Sequence, residues 1–306
     1  NYISPIFEGT FINDSYSCRV GKGTHYGIKR IDHFIRSCSQ NYSKDCYILK
    51  LDIQGYFMSI NRRLLSHKVK QVLFSKLNHI EFDLSLVLGL IERTIFNDPT
   101  KNCVVKGKKS DWKYLPKDKS LFTAQQNCGL PIGNLTSQLF GNVYLNDLDH
   151  FVKRDLTIKN YGRYVDDFIL VHKDQKYLKS LIPIIRDYLS KELKLTLHEK
   201  KIYLQHHSKG VKYLGAVIKP HRIYIANRTK GNFYESIQKQ NMIVRDHKPT
   251  GEEKSQFVSR MNSYLGILQH YKTFRMRKRM LFNHLSAWWW NHVYLSGGIQ
   301  KFVQNN

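Results

Sequence analysis

Tyr164-Val165-Asp166-Asp167-Phe168-Ile169-Leu170-Val171 decides how this chain is read: two adjacent carboxylates stand between an aromatic run, Tyr161-Gly162-Arg163-Tyr164, and an apolar strand. Neighbouring carboxylates repel each other, and an apolar flank raises the cost of their charge unless a cation compensates. An isolated Asp-Asp pair is usually a solvated turn. These surroundings are not those of a solvated turn, and the pattern predicts a metal-binding hairpin.

A third carboxylate makes the pattern specific. Asp52 ends the run Tyr47-Ile48-Leu49-Lys50-Leu51, where period-two alternation sets Leu49 and Leu51 on one face and Lys50 and Asp52 on the other. Three aspartates at strand ends suggest a two-metal site of the polymerase kind.

Composition is consistent with that chemistry. The chain has 306 residues, 42% of them hydrophobic, enough to bury a sizeable core in one large or two to three small domains. Its 49 Lys and Arg against 24 Asp and Glu leave a net charge of +25, spread along the chain and not gathered in a tail. A polyanionic partner is implied, and 19 Tyr with 16 Phe provide stacking surface as well as core. The longest apolar run, 84–91, falls far short of the roughly 20 residues of a membrane span. Five cysteines (Cys18, Cys38, Cys46, Cys103, Cys128) with no Cys-x-x-Cys pair and no secretory signal suggest a reduced, cytoplasmic protein. His198, His206 and His207 lack the spacing of zinc ligands.

Along the chain, residues 15–25 form a glycine- and basic-rich loop ahead of a helix expected over about 26–37. Gly21 and Gly23 permit close backbone approach to phosphate, and Arg19, Lys22 and Lys29 supply charge. Helical patterns follow over about 62–97. Residues 101–119, with seven Lys against two Asp, read either as an insertion touching nucleic-acid backbone or as a solubilising loop. Gly129-Leu130-Pro131-Ile132-Gly133-Asn134 is a turn, after which Phe140, Tyr144, Leu148 and Phe151 repeat at helical spacing. Val211 to Gly215 reads as a short strand closed by glycine. From the capping box Thr250-Gly251-Glu252-Glu253 onward the pattern is helical, and Lys272 to Met280 interleaves basic and apolar residues like a duplex-gripping helix.

In order and kind these segments resemble the reverse transcriptases, right-hand polymerases with fingers, palm and thumb. The implied fold is α+β: fingers at 1–45 and 61–125, an antiparallel-sheet palm carrying the aspartates at 46–60 and 126–226, and an α-helical thumb at 227–306. Asp52 resembles the first palm aspartate, and Tyr164-Val165-Asp166-Asp167 the Tyr-x-Asp-Asp box. The stretch Leu130-Pro131-Ile132-Gly133-Asn134-Leu135-Thr136-Ser137-Gln138 is similar to diversity-generating retroelement reverse transcriptases, relatives of the group II intron and retron enzymes; most reverse transcriptases have Gln at the position of Ile132 and Ser-Pro in place of Ser137-Gln138. The thumb sequence Asn262-Ser263-Tyr264-Leu265-Gly266 resembles the same group, and Val211 to Gly215 resembles a primer grip.

That resemblance implies an RNA-directed DNA polymerase, bacterial or phage-encoded, that copies a template-repeat RNA into cDNA with errors at adenines (mutagenic retrohoming). It implies two Mg²⁺ ions, with Mn²⁺ able to substitute, held by Asp52, Asp166, Asp167 and the carbonyl of Ile53. Arg19 and Lys22 are expected at the triphosphate, Phe57 as a sugar gate five residues after Asp52, Ile132, Gly133 and Gln138 around the nascent pair, and Lys200, with Lys201 equally available, as proton donor to pyrophosphate. Expected partners are template RNA, RNA/DNA heteroduplex, dNTPs and a small basic helical oligomeric accessory protein, with no membrane. The chain starts at Asn1 without an initiator Met, and the resemblance places an upstream fingers segment before it. Other functions open to the same palm are a group II intron-like or prophage defence reverse transcriptase, an RNA-binding maturase, or a silent scaffold.

Overall fold

The computed structural model describes residues 3–77 and 82–305. The chain divides into two compact units, Asn1–His207 and Ser208–Asn306.

In the first unit, strand β1 (Tyr47–Asp52) takes its register from its own alternation. Leu49 and Leu51 are fully buried, while Lys50 and Asp52 stay partly open. It lies inside a four-stranded antiparallel sheet, between β3 (Asp167–His172) and β4 (Tyr203–His206), with β2 (Asn160–Tyr164) beyond β3. Leu49, Leu51, Phe168 and Leu170 share one core cluster with Leu178, Leu181, Ile185, Leu189 and Leu193, the buried stripe of a helix at Gln175–Leu193. Each such side chain, fully buried, stabilises the fold by about 1.5–3 kcal/mol. Helix α1 (Ser4–Glu8) precedes α2 (Thr24–Cys38), which packs on β2 and β3. Helix α2 begins two residues before its expected start because Gly23, at φ 114°, turns the chain directly into it.

The helical pattern over 62–97 resolves into α4 (Arg62–Ser75), which follows a one-turn α3 (Tyr56–Ser59), and α5 (Leu84–Phe96). Asn61 and Asp83 cap α4 and α5, each side chain accepting from an N–H three residues on, at 3.0 Å. Residues 101–123 form an exposed, irregular stretch with three short 3₁₀ turns. The spacing from Phe140 to Phe151 produces α6 (Leu135–Tyr144), α7 (Asn146–His150) and a π turn at Phe151–Asp155; α8 is the Gln175–Leu193 helix.

The second unit opens with a three-stranded meander, β5 (Val211–Tyr213), β6 (Ala216–Lys219) and β7 (Arg222–Ile225). Leu214 (φ 47°) and Gly215 (φ 80°) form its first two-residue turn, both in the left-handed region that tight hairpins require. Helices α9 (Asn227–Asp246), α10 (Gly251–Leu268), α11 (Phe274–His284) and α12 (Ala287–Trp290) follow, then the hairpin β8 (Val293–Ser296) and β9 (Lys301–Gln304). The capping box at α10 is formed: Thr250 Oγ1 accepts from the Glu253 N–H at 3.2 Å, and Glu253 Oε2 from the Thr250 N–H at 2.8 Å. Phe257 stacks on Trp289 at 4.0 Å in a core with Phe233, Met261, Leu265 and Phe302. The unit boundary at 207/208 groups residues 208–226, expected with the palm, with the helices that follow. Among the described residues no helix is long and apolar enough to cross a membrane.

Candidate active site

The antiparallel register of β1 and β3 sets Asp52 directly opposite Asp167, and the two-residue turn Val165-Asp166 between β2 and β3 places Asp166 beside them. Asp52, more than a hundred residues from the adjacent Asp166 and Asp167 in sequence, thus shares one sheet end with them. Burial, then the Asp52 charge, raises the pKa of Asp166. Burial raises Asp167 to about 6, with Lys50 opposing the shift.

Two lysines sit on this cluster. Lys201 Nζ donates to both oxygens of Asp52, at 2.9 and 3.0 Å. Lys50 Nζ, on the same face of β1 as Asp52, meets Asp167 Oδ2 at 2.8 Å. Burial works against the Lys201 ammonium, but its bonds to Asp52 prevail and raise its pKa. Lys201 is delivered by residues 196–201, which run beside the end of β1: Gln54 N–H donates to Thr196 O at 2.9 Å and His198 N–H to Asp52 O at 2.8 Å. This pairing leaves the Ile53 carbonyl without a backbone donor among the described residues.

The turn itself is strained. Val165, a β-branched residue, holds φ 56°, a conformation that costs about 1–3 kcal/mol. Arg163 over-determines it. Its Nη1 donates to the Val165 carbonyl at 2.8 Å, while Nε and Nη2 form a fork on the two oxygens of Asp149 at 2.7 and 2.6 Å, both side chains being fully buried. Burial disfavours the guanidinium charge, but Asp149 outweighs that and raises its pKa. Tyr161 donates its hydroxyl to the same carboxylate at 2.7 Å. The segment 14–17 closes the other side: Arg163 N–H donates to Asp14 O and Tyr16 N–H to Arg163 O, both at 2.9 Å. Gly162 is needed here, because a Cβ would stand 2.1 Å from the Tyr16 hydroxyl oxygen.

Phe57 lies on α3 five residues past Asp52. Its carbonyl accepts from the Leu130 N–H at 2.8 Å, and Arg62 Nε donates to the Gly129 carbonyl at 2.8 Å, so the turn 129–134 is tied to the same place. The Phe57 ring is half-buried and rests on Gly141 of α6, where a Cβ would come within 3.3 Å of it. Ile132 is 69% exposed and lines, with Met58, Trp112 and Phe122, an apolar cavity of about 390 Å³. Gly133 (φ 104°) turns the chain into α6, where Gln138 is half-buried.

Two expectations need correction. Arg19 is not presented to a ligand: its side chain is 6% exposed, with Nε on Glu8 at 2.7 Å and Nη1 on the Ile12 and Ser15 carbonyls at 2.5 and 2.9 Å. Lys22 is likewise folded back, on the Asn13 carbonyl and on Asn13 Oδ1 at 3.0 Å. Of the two adjacent lysines it is Lys201 that reaches Asp52. Lys200 is exposed and in no ion pair among the described residues, because successive side chains of the 3₁₀ turn Glu199–Lys201 point about 120° apart. Lys50 was foreshadowed by its place on the face of Asp52. Arg163 and Gly141 had no signal beyond their proximity to the motifs.

Among the described residues no three His, Cys, Asp or Glu side chains already stand as a metal cage; lysine ammoniums hold Asp52 and Asp167 instead. The donor set nonetheless suits a hard divalent cation: clustered carboxylates, of which burial raises the pKa of Asp166 and Asp167, and a buried Asp167 Oδ1 without a hydrogen-bond partner.

The fold is shared with telomerases. Apo telomerase from Candida tropicalis aligns with a TM-score of 0.54 at 13% identity, over 91% of this chain and 48% of that one. The same apo telomerase truncated from its C-terminal domain gives 0.53 at 14%, over 73% and 45%. Residues 2–218 match the reverse transcriptase (RNA-dependent DNA polymerase) family, and the chain belongs to that family. Protein YkfC of Escherichia coli (strain K12) is 23% identical over 245 residues, 70% of this chain and 57% of YkfC. The chain therefore spans about half the length of these relatives.

Proposed function

We propose that the chain is the catalytic part of an RNA-directed DNA polymerase, with palm at 46–60 and 126–226, fingers at 1–45 and 61–125, and a thumb built on 227–306. The observation that carries this reading is the register that sets Asp52 against Asp167 with Asp166 in the adjoining turn. Two Mg²⁺ ions, held by the three carboxylates and the Ile53 carbonyl, would supply activation of the primer hydroxyl and charge neutralisation at the triphosphate.

The chain's own residues do the rest. In the step itself the primer 3′-hydroxyl gives up its proton to water, its oxygen forms a bond to the α-phosphorus of a dNTP, and the bond from that phosphorus to pyrophosphate breaks. Lys201, which stands at the cluster on Asp52, is the residue placed to hand a proton to the departing pyrophosphate, the role expected of Lys200 or its neighbour Lys201; with metal ions on the carboxylates its ammonium would be free for this. Lys50 keeps Asp167 oriented from within β1. Phe57, backed by Gly141, closes the space a ribose 2′-hydroxyl would need.

The finer reading is a diversity-generating reverse transcriptase that miscopies adenines of a template-repeat RNA, assisted by a small basic accessory protein. Its support is Ile132, an exposed aliphatic residue in a turn tied to Phe57. Without an amide at that position, base selection loses hydrogen bonds.

The test is primer extension on a mixed-base RNA template with Mg²⁺ and dNTPs, followed by cDNA sequencing. The expected result is cDNA from the wild-type chain, with its accessory protein supplied, and none from Asp166→Asn. Errors concentrated at template adenines, reduced in Ile132→Gln, would support the finer reading. Faithful cDNA would reject it, and equal products from wild type and Asp166→Asn would reject polymerase activity.

A further inference from the structure

The second unit carries a pocket of about 420 Å³ between β7, an outer strand of its sheet, the first turn of α9 and the start of α11. Five cations line it: Arg222, Lys230, Lys272, Arg275 and Arg279. No Asp or Glu lines it, and none of the five is in an ion pair among the described residues. All five are exposed. Five like charges around one concavity are self-repelling unless an anion enters.

The pocket also has an aromatic wall. Tyr224 on β7 is 42% exposed, and the Arg222 guanidinium lies 4.7 Å from its ring centre. A flat ring topped by a guanidinium, within a ring of cations, matches an unpaired base and its flanking phosphates. Size decides between single strand and duplex. A volume of about 420 Å³ lies at the small-ligand end of binding cavities, which run from about 300 to 1,000 Å³. It admits one or two nucleotides and excludes a stack of base pairs.

We propose that this pocket anchors one or two unpaired nucleotides of a nucleic-acid strand, with the five cations on phosphate and Tyr224 on a base. The proposal rests on the polymerase reading only for where such a strand comes from. The site itself lies wholly within the second unit and involves none of the aspartates.

The experiment is fluorescence anisotropy on the full chain without dNTPs, using labelled 12-nucleotide single-stranded RNA, the DNA of the same sequence, and a blunt duplex, across a KCl series. The triple variant Arg222→Ser/Arg275→Ser/Arg279→Ser is expected to bind single strands at least tenfold more weakly. Its log–log salt slope should be shallower by about two, the share of three phosphate contacts on a single strand. Duplex affinity should move less. Tyr224→Ala, with all five cations in place, should lose about fivefold or more on single strands. Circular dichroism melts on both variants check folding.

RNA and DNA bound equally would assign the contacts to phosphate and base; a preference for RNA would add the ribose hydroxyl, and either supports the pocket. Unchanged single-strand affinity and slope in the triple variant would overturn it. So would an equal loss on duplex, or displacement by inorganic phosphate at the oligonucleotide's own concentration. Asp166→Asn should bind like wild type while making no cDNA, so failure of the pocket and failure of the polymerase reading are separately visible.

Discussion

The β2–β3 turn has a sealed side and an open side, and they use different cations. Behind the turn, Arg163 grips Asp149 with two nitrogens, both residues at 0% exposure, and a third contact holds the Val165 carbonyl. In front, Lys201 is half exposed on Asp52, and Lys50 pairs with Asp167. A guanidinium fork fixes geometry; an ammonium is a point charge that another cation can replace. Arginine therefore stands where the strained backbone is held, and lysine on the carboxylates proposed to take metal. The most direct way to break this comparison is to remove the acid behind the turn. Asp149→Ala leaves Arg163 buried and unpaired, which should cost about 3–5 kcal/mol. The check is urea unfolding; a loss below about 1 kcal/mol would mean that Arg163 finds water or another partner and that the two sides are not so different.

In front of the turn Asp167 should be destabilising when ionised without metal. Asp167 is raised from 3.8 to about 6. Between those values the native chain binds a proton that the unfolded chain has released, so this contribution to stability is lost as pH rises through about 6. Measured in EDTA, wild-type stability should fall relative to Asp167→Asn between pH 4 and 7, by up to about 3 kcal/mol. Mg²⁺ should reverse the trend. Parallel pH profiles for the two proteins would remove Asp167 from the account.

Lys201 and Lys200 sharpen the same contrast within one turn. Lys201→Met should lower the extension rate by about ten- to a hundredfold or more, as for loss of a positioned proton donor, while Lys200→Met should leave it nearly unchanged. Equal losses would return the two lysines to a shared, purely electrostatic role.

Much of this region was legible in the amino-acid sequence because strands write themselves with period two. Leu49 and Leu51 against Lys50 and Asp52 are a binary code that the sheet obeys, and apolar flanks mark the carboxylates as costly. What sequence could not carry is direction within irregular backbone. Lys200 and Lys201 are adjacent in a 3₁₀ turn, where a one-residue difference rotates a side chain by about 120°. A glycine- and basic-rich loop reads the same whether its cations face a ligand or fold back, and only the structure shows Arg19 folded onto Glu8 and two carbonyls. The Arg163–Asp149 pair joins β2 to α7 across fourteen positions, with no periodicity to announce it. The unit boundary at 207/208 escaped for a similar reason: β5 to β7 are short strands that extend a sheet of their own and are absent from the four-stranded one.

The smallest expected effect tests whether the front of the site is shaped as finely as its back. Gly141 has helical backbone, so alanine brings no strain of its own, only a methyl 3.3 Å from Phe57 Cε1 and 3.5 Å from Tyr56 Cε1. Tyr56 is buried and its hydroxyl donates to the Gly141 carbonyl at 2.5 Å, so Phe57, the half-buried neighbour, is the ring that yields. A shift of a few tenths of an ångström at a sugar gate should cost under about 1 kcal/mol in folding and change dNTP-over-rNTP preference a few fold, whereas Phe57→Ala should abolish most of that preference. Paired dNTP and rNTP incorporation by the two variants reads this directly. If Phe57→Ala changes preference and Gly141→Ala does not, the ring is held by contacts other than α6. If neither does, Phe57 is core, and the open side of the turn selects sugars by some other group.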